Sequence, residues 1–158
     1  MAKEKPANLD RTDVRILRAL QRDGGLTNQQ LAEQVGLSPS PCSRRVQKLE
    51  QAGVILRRET VLDPRKLDMP TTVFVEITLQ AQAEEVLEAF ETSVARIPDV
   101  LECHLMAGTA DYLLKIVAEN TEDFARIHRQ HLARLPGVAQ MQSSFALRTV
   151  CKTTALPV

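Results

Sequence analysis

Leu37-Ser38-Pro39-Ser40-Pro41-Cys42-Ser43-Arg44-Arg45-Val46-Gln47-Lys48-Leu49 is the stretch from which this 158-residue chain is best read. Proline is tolerated in the first turn of a helix, where its missing N–H has no intrahelical partner, and Ser38 or Ser40 can cap that turn. Cys42, Val46 and Leu49 recur at i, i+4 and i+7 and must face inward. The opposite face then carries Ser40, Ser43, Arg44, Gln47 and Lys48, without a bulky apolar group. Gly53 ends the helix.

Working toward the N-terminus, Val14, Leu17 and Leu20, with Ile16 beside them, predict a helix over residues 11–21, broken at Gly24-Gly25. Thr27-Asn28-Gln29-Gln30 fits a capping box, with Leu31 and Val35 on one face of the helix it opens and Gly36 at its end. On the other side, Val54-Ile55-Leu56 and Thr60-Val61-Leu62 flank the charged tip Arg57-Arg58-Glu59 and predict a small hairpin. Three short helices followed by a hairpin form the pattern of a winged helix-turn-helix domain, here residues 1–62.

Asp63-Pro64 opens a linker, residues 63–69, and Met69-Pro70 closes it, since a residue before proline is biased away from helix. The composition then changes. Val73, Val75, Ile77 and Leu79 alternate with Thr72, Phe74, Glu76 and Thr78 as in a strand. Leu87, Phe90, Val94 and Ile97 mark a helix, 100–107 and 112–118 two strands about the turn 108–111, Phe124, Ile127 and His131 a second helix, and 138–150 a last strand. Arg96-Ile97-Pro98-Asp99-Val100 resembles Arg134-Leu135-Pro136-Gly137-Val138, each between a helix and a strand. The order βαββαβ is that of a ferredoxin-like domain, residues 70–150, with a tail at 151–158. The fold class is α+β.

Hydrophobic residues at 44% and charged residues at 25% fit a soluble globular protein and exclude a disordered or collagen-like chain. No apolar run approaches the roughly 18 residues of a membrane span, and Met1 to Asp10 lack the apolar core of a signal peptide. Three widely spaced cysteines, Cys42, Cys103 and Cys151, argue against a disulfide framework and for a reducing compartment, the cytoplasm. The net charge is zero, yet residues 1–66 carry 13 Lys/Arg against 8 Asp/Glu and the remainder 7 against 12. That asymmetry suggests a polyanion partner for the first half alone.

Double-stranded DNA is the polyanion that a solvent-facing helix of this kind fits. Ser43, Arg44 and Gln47 are the candidates for base edges, Arg44 against guanine and Gln47 against adenine. Arg45, Lys48, Arg57 and Arg58 are the candidates for phosphate. Cys103-His104 point to opposite faces of a strand, and His128 and His131 lack a third ligand nearby, so no metal and no cofactor is expected. No phosphate-binding loop, nucleophile elbow or zinc-protease motif occurs.

Together the segments from Leu9-Asp10-Arg11 to Leu20, from Leu31 through Cys42 and from Arg45 through Ile55 resemble the leucine-responsive/asparagine-regulator (Lrp/AsnC) transcription factors. So do Phe74 to Leu79, Glu102-Cys103-His104-Leu105, Gly108 with Asp111-Tyr112-Leu113-Leu114-Lys115, and Leu135-Pro136-Gly137-Val138. Two departures stand out: Arg57 and Arg58 where the family often has a wing glycine, and Thr109-Ala110 where it often has an acidic and an aromatic residue.

A four-stranded sheet with both helices on one side leaves its other face bare, and a second copy would cover it; this predicts a homodimer. The resemblance implies the same, with assembly to tetramers or octamers. A dimer would place two reading helices roughly 34–36 Å apart, in successive major grooves. At the turn 108–111, Asp111 can accept from the ammonium of a free amino acid, while Thr109 and backbone N–H groups hold its carboxylate. Leu105 and Phe145 would contact its side chain. The alternative is a plain turn in which Asp111 bonds its own backbone. The resemblance places an effector pocket between subunits and implicates Leu105, Gly108, Asp111, Thr121, Ser144 and Phe145. The expectation is a sequence-specific regulator of transcription, not an enzyme, tuned by a small amino acid. The alternatives are an effector-blind DNA-packaging protein and a sirohaem decarboxylase-like enzyme of the same layout.

Overall fold

The computed structural model describes residues 8–158; the stretch 1–7, part of the segment searched for a signal peptide, lies outside them. The chain divides into two compact units. One comprises the residues up to Val61 together with Cys151–Val158, the other Leu62–Val150.

Helices α1 (Arg11–Arg22), α2 (Asn28–Val35) and α3 (Pro39–Gln51) build the first unit. The Asp10 carboxylate caps α1, accepting the N–H groups of Thr12 at 2.7 Å and Asp13 at 2.8 Å. The capping box expected at α2 is formed: Thr27 Oγ1 accepts the Gln30 N–H at 3.2 Å, and Gln30 Oε1 accepts the Thr27 N–H at 2.9 Å. Gly36 ends α2 at φ +67°, a conformation that disfavours any side chain. At α3, Ser38 occupies the capping position but makes no side-chain bond. Instead, Asn28 Nδ2 donates to the Pro39 carbonyl at 2.9 Å and ties the start of α3 to the start of α2. Ile16, Leu17, Leu31, Val35, Cys42, Val46 and Leu49 form the buried centre.

Two expectations are corrected here. The hairpin predicted for 54–62 is absent, and the segment after Ile55 is exposed chain without a strand. Tight hairpin turns need residues that accept positive φ, and the tip offers none. Arg57 instead pairs with Glu59, two positions on and so on the same side of an extended chain. The segment expected as a tail is part of the first unit: Arg18 Nε donates to the Val158 carbonyl at 2.6 Å, and the Gln21 amide exchanges bonds of 3.1 Å and 2.6 Å with the backbone of Leu156. Val158 packs against the helical core.

Strands β1 (Thr71–Leu79), β2 (Val100–Leu105), β3 (Tyr112–Ala118) and β4 (Val138–Phe145), with α4 (Glu84–Val94) and α5 (Thr121–Gln130), give the second unit its βαββαβ order. A 3-10 turn, Pro64–Leu67, occupies the expected linker. The antiparallel sheet runs β2-β3-β1-β4. Val73, Val75, Ile77 and Leu79 of β1 and Tyr112, Leu114, Ile116 and Ala118 of β3 are buried in one core with Phe90, Val94, Phe124 and Ile127 of the helices. Ile97 and Leu135, the matched residues of the repeat, are both buried in it.

Strand β4 ends at Phe145, short of the expected Val150. Its partner β1 begins at Thr71, just after Pro70, and the last ladder bond is the Ala146 N–H to the Thr72 carbonyl at 2.9 Å. The open face is less apolar than expected. Phe74 is flanked across the sheet by Lys115 and Ser144, and Glu76 by Leu113 and Gln142.

Candidate DNA-reading surface and effector site

On α3, Arg44, Gln47 and Lys48 are exposed, whereas Ser43 and Arg45 are half-buried. Geometry explains the division. At about 100° per residue, Ser43 and Arg45 fall on the flanks between the buried stripe and the free face. Gln51 and Arg44, both exposed, lie nearest to directly opposite Cys42, Val46 and Leu49, with Ser40 next. Of these, Gln51 and Ser40 were not among the base-edge candidates. The periodicity carried the signal, since the centre of a free face follows from the centre of the buried stripe.

The cations differ in what holds them. One guanidinium nitrogen of Arg45 donates to Asp10 Oδ2 and Asp13 Oδ1, each at 2.7 Å. The Asp13 backbone N–H, and then Arg45, hold the Asp10 carboxyl below its ordinary value, and the two carboxylates raise Arg45 further. The assignment of Arg45 to phosphate therefore runs against its geometry. Arg58 lies 3.7 Å from Glu50, and both are well exposed. Glu50, Ile55, Leu56, Arg57 and Arg58 line an open cleft of about 420 Å³.

In the second unit the effector candidates fall into two groups. Leu105, Tyr112, Ile77 and Met141 stand in one cross-strand row, and Val100, Ile116, Val73 and Phe145 in another. Leu105 and Phe145 are thus at opposite ends of opposite edge strands, about 13 Å apart along the strands and about 14 Å across them. Within one chain they cannot touch the same small molecule. Thr121 opens α5 just past the Ala118 end of β3, the end where Phe145 lies. Ser144 pairs with Phe74 on the open face. Phe145 turns to the helical side, where its ring meets Phe124 edge-on at 5.3 Å.

The turn itself is tied down by a carboxylate. Asp111 Oδ2 accepts the Leu79 N–H and Oδ1 accepts the Gln82 amide, both at 2.7 Å. The carboxylate thus ties the end of β1 to the turn, and both of its oxygens are engaged. It bonds neither its own backbone nor an open space. Gly108 and Thr109 are exposed, and a Cβ on Gly108 would meet nothing within 4 Å. Leu105 lines a groove of about 470 Å³ with Glu91, Val94, Cys103 and Tyr112. There the Tyr112 hydroxyl donates to Glu91 at 2.7 Å, and burial, with Glu91, pushes the Cys103 thiol up to about 11. No cluster of three or more His, Cys, Asp or Glu suited to a metal occurs among the described residues.

The sequence profile of the Lrp/AsnC ligand binding domain matches residues 72–156, and that of a winged helix-turn-helix DNA-binding domain matches residues 9–55. The leucine-responsive regulatory protein of Escherichia coli (strain K12) is 39% identical over 158 residues, covering 99% of this chain and 96% of its own.

The chain belongs to the Lrp/AsnC family of transcription regulators.

Solved Lrp/AsnC-type structures superpose over nearly its full length. A transcriptional regulator of Neisseria meningitidis, crystallised as its L-Met complex, matches at a TM-score of 0.90 and 38% identity, covering 95% of this chain and 97% of its own. An AsnC family transcriptional regulator from Agrobacterium tumefaciens matches at 0.90 and 40%, covering 94% and 97%. As an Lrp/AsnC protein, this chain is a DNA-binding transcription regulator. The DNA-binding profile stops at Ile55, where the expected wing begins.

Proposed function

We propose that α3 enters the major groove of duplex DNA and reads sequence there, while the second unit pairs with a second copy and takes a small amino acid between chains. One observation carries the DNA reading: a polar, cationic, exposed face of α3 stands opposite the buried apolar stripe of Cys42, Val46 and Leu49. Arg44 and Gln47, the exposed long donors of that face, would reach base edges, Ser40 and Ser43 would lie alongside, and Lys48, Arg57 and Arg58 would meet phosphates.

Two groups of effector candidates at opposite corners of one sheet favour a pocket completed by another protomer, since a twofold axis can bring unlike corners of two sheets together. The Neisseria relative, solved with L-Met, supports a free amino acid as the ligand class. The effector would act through unequal affinity for two assembly states, because equal affinity shifts nothing. We read the protein as acting by binding rather than catalysis, and as working in the cytoplasm. No described helix is long and apolar enough to cross a membrane.

The test is fluorescence anisotropy with the duplex that the chain enriches from a random pool, against a scrambled duplex. Arg44→Ala should lower affinity for the enriched site by roughly 5- to 150-fold, the worth of a bidentate base contact, and barely affect the scrambled one. Arg58→Ala should weaken both and flatten the salt dependence. Equal losses for Arg44→Ala on both duplexes would refute its role. Thermal shift against the common amino acids separates a sensor from an effector-blind packaging protein, which none of them would stabilise.

A further inference from the structure

We infer that Arg45 is a positioning residue that sets the rotation of α3 and makes no contact with DNA phosphate; this rests on the proposed reading of DNA by α3. Its guanidinium bridges Asp10 and Asp13 at 2.7 Å each. Both carboxylates are already committed to the first turn of α1. Asp10 Oδ1 takes the Thr12 and Asp13 N–H groups, and Asp13 Oδ2 takes the Asp10 N–H at 3.2 Å. The capping box of α1 is therefore also the cradle of Arg45. Drawing the guanidinium toward a phosphate would break two charge-assisted bonds and leave two carboxylates uncompensated. As a group, Arg45, Asp10 and Asp13 carry net negative charge, which repels a polyanion.

The packing of Cys42, Val46 and Leu49 is apolar and non-directional, so it fixes depth better than rotation. A helix with side chains has a radius of about 5–6 Å, so a 20° roll of α3 moves its outer atoms about 2 Å. Such a shift is enough to break a bidentate base contact. Two directional ties resist it: the Asn28 amide on the Pro39 carbonyl at the first turn, and Arg45 at mid-helix.

The experiment compares wild type, Arg45→Gln, Asp13→Asn and the double variant. Each binds the enriched and the scrambled duplex across a salt series, with helicity and melting followed alongside. The expected result for Arg45→Gln is at least a tenfold loss of preference for the enriched site, with an unchanged slope of log affinity against log salt. Asp13→Asn should cost a similar share of that preference, and the double variant should be no worse than the poorer single one, because both remove one tie. A slope reduced by about one, with both duplexes weakened alike, would overturn the inference in favour of a phosphate contact. So would an Asp13→Asn protein that binds both duplexes more tightly with its preference intact, and this variant decides the matter even where Arg45→Gln does not fold. A wild-type chain with no preference between duplexes overturns the reading of α3 itself, and the role of Arg45 falls with it.

Discussion

Asp111 and Gly108 sit three residues apart in one turn, yet the structure constrains them differently. The carboxylate of Asp111 answers the Leu79 N–H and the Gln82 amide. Asp111→Ala should therefore lower the stability of the second unit by roughly 1.5–3 kcal/mol, the worth of a hydrogen bond to a charged group; urea unfolding measures it. A lost effector response in that variant would report a loosened turn as readily as a lost contact. Gly108→Ala is the cleaner probe. It has ordinary φ and open space around its Cβ, so the change should leave stability within about 0.5 kcal/mol. Any lost amino-acid response in thermal shift would then belong to binding. Gly137 is the opposite case: φ is +70° and a Cβ would stand 2.7 Å from Val86 Cγ1, so Gly137→Ala should cost roughly 1–3 kcal/mol in the same assay. Arg44 and Asp111 were singled out from sequence because their chemistry is local. The partners of Arg45 and Asp111 were not legible, because each lies about thirty residues away and only folding brings it near.

Elements whose signals sit within four residues were read most accurately. The capping box at Thr27 is one, and Thr27→Ala should cost about 1 kcal/mol, seen as a lower melting temperature of the first unit. The cap of α1 adds a pH dependence with a definite sign. The Asp10 carboxyl titrates lower in the folded state than in the unfolded chain, where it lies near 3.9. Its stabilisation is fully present above that value and is lost as pH falls through the lower folded one. Between neutral pH and pH 3, wild type should lose more stability than Asp10→Asn; parallel melting curves would contradict this. Boundaries set by distant partners were read less well. The stretch from Val138 is expected as strand as far as Val150, and only the start of β1 at Thr71 stops it. The hairpin at 54–62 had the right flanking residues, but its tip lacks the turn chemistry to close.

At the scale of the whole molecule, order and layering were legible because hydrophobic period switches from helical to alternating near Pro70. Side-by-side placement was less so. The sequence offered one effector pocket, while the sheet order β2-β3-β1-β4 sends its residues to opposite corners. If a second copy completes that pocket, light scattering at micromolar concentration should give a dimer or larger. Phe74→Glu, at the centre of the open face, should then shift the population toward monomer.

The closing strap of the first unit, residues 151–158, is made after every residue of the second. On a translating ribosome the three helices emerge early, but Arg18 and Gln21 must wait for Val158 and Leu156 until the whole sheet has been synthesised. Completion of the first unit thus waits for residues made after the sheet, and a nascent polypeptide stalled inside the second unit would present α3 on an unfinished scaffold.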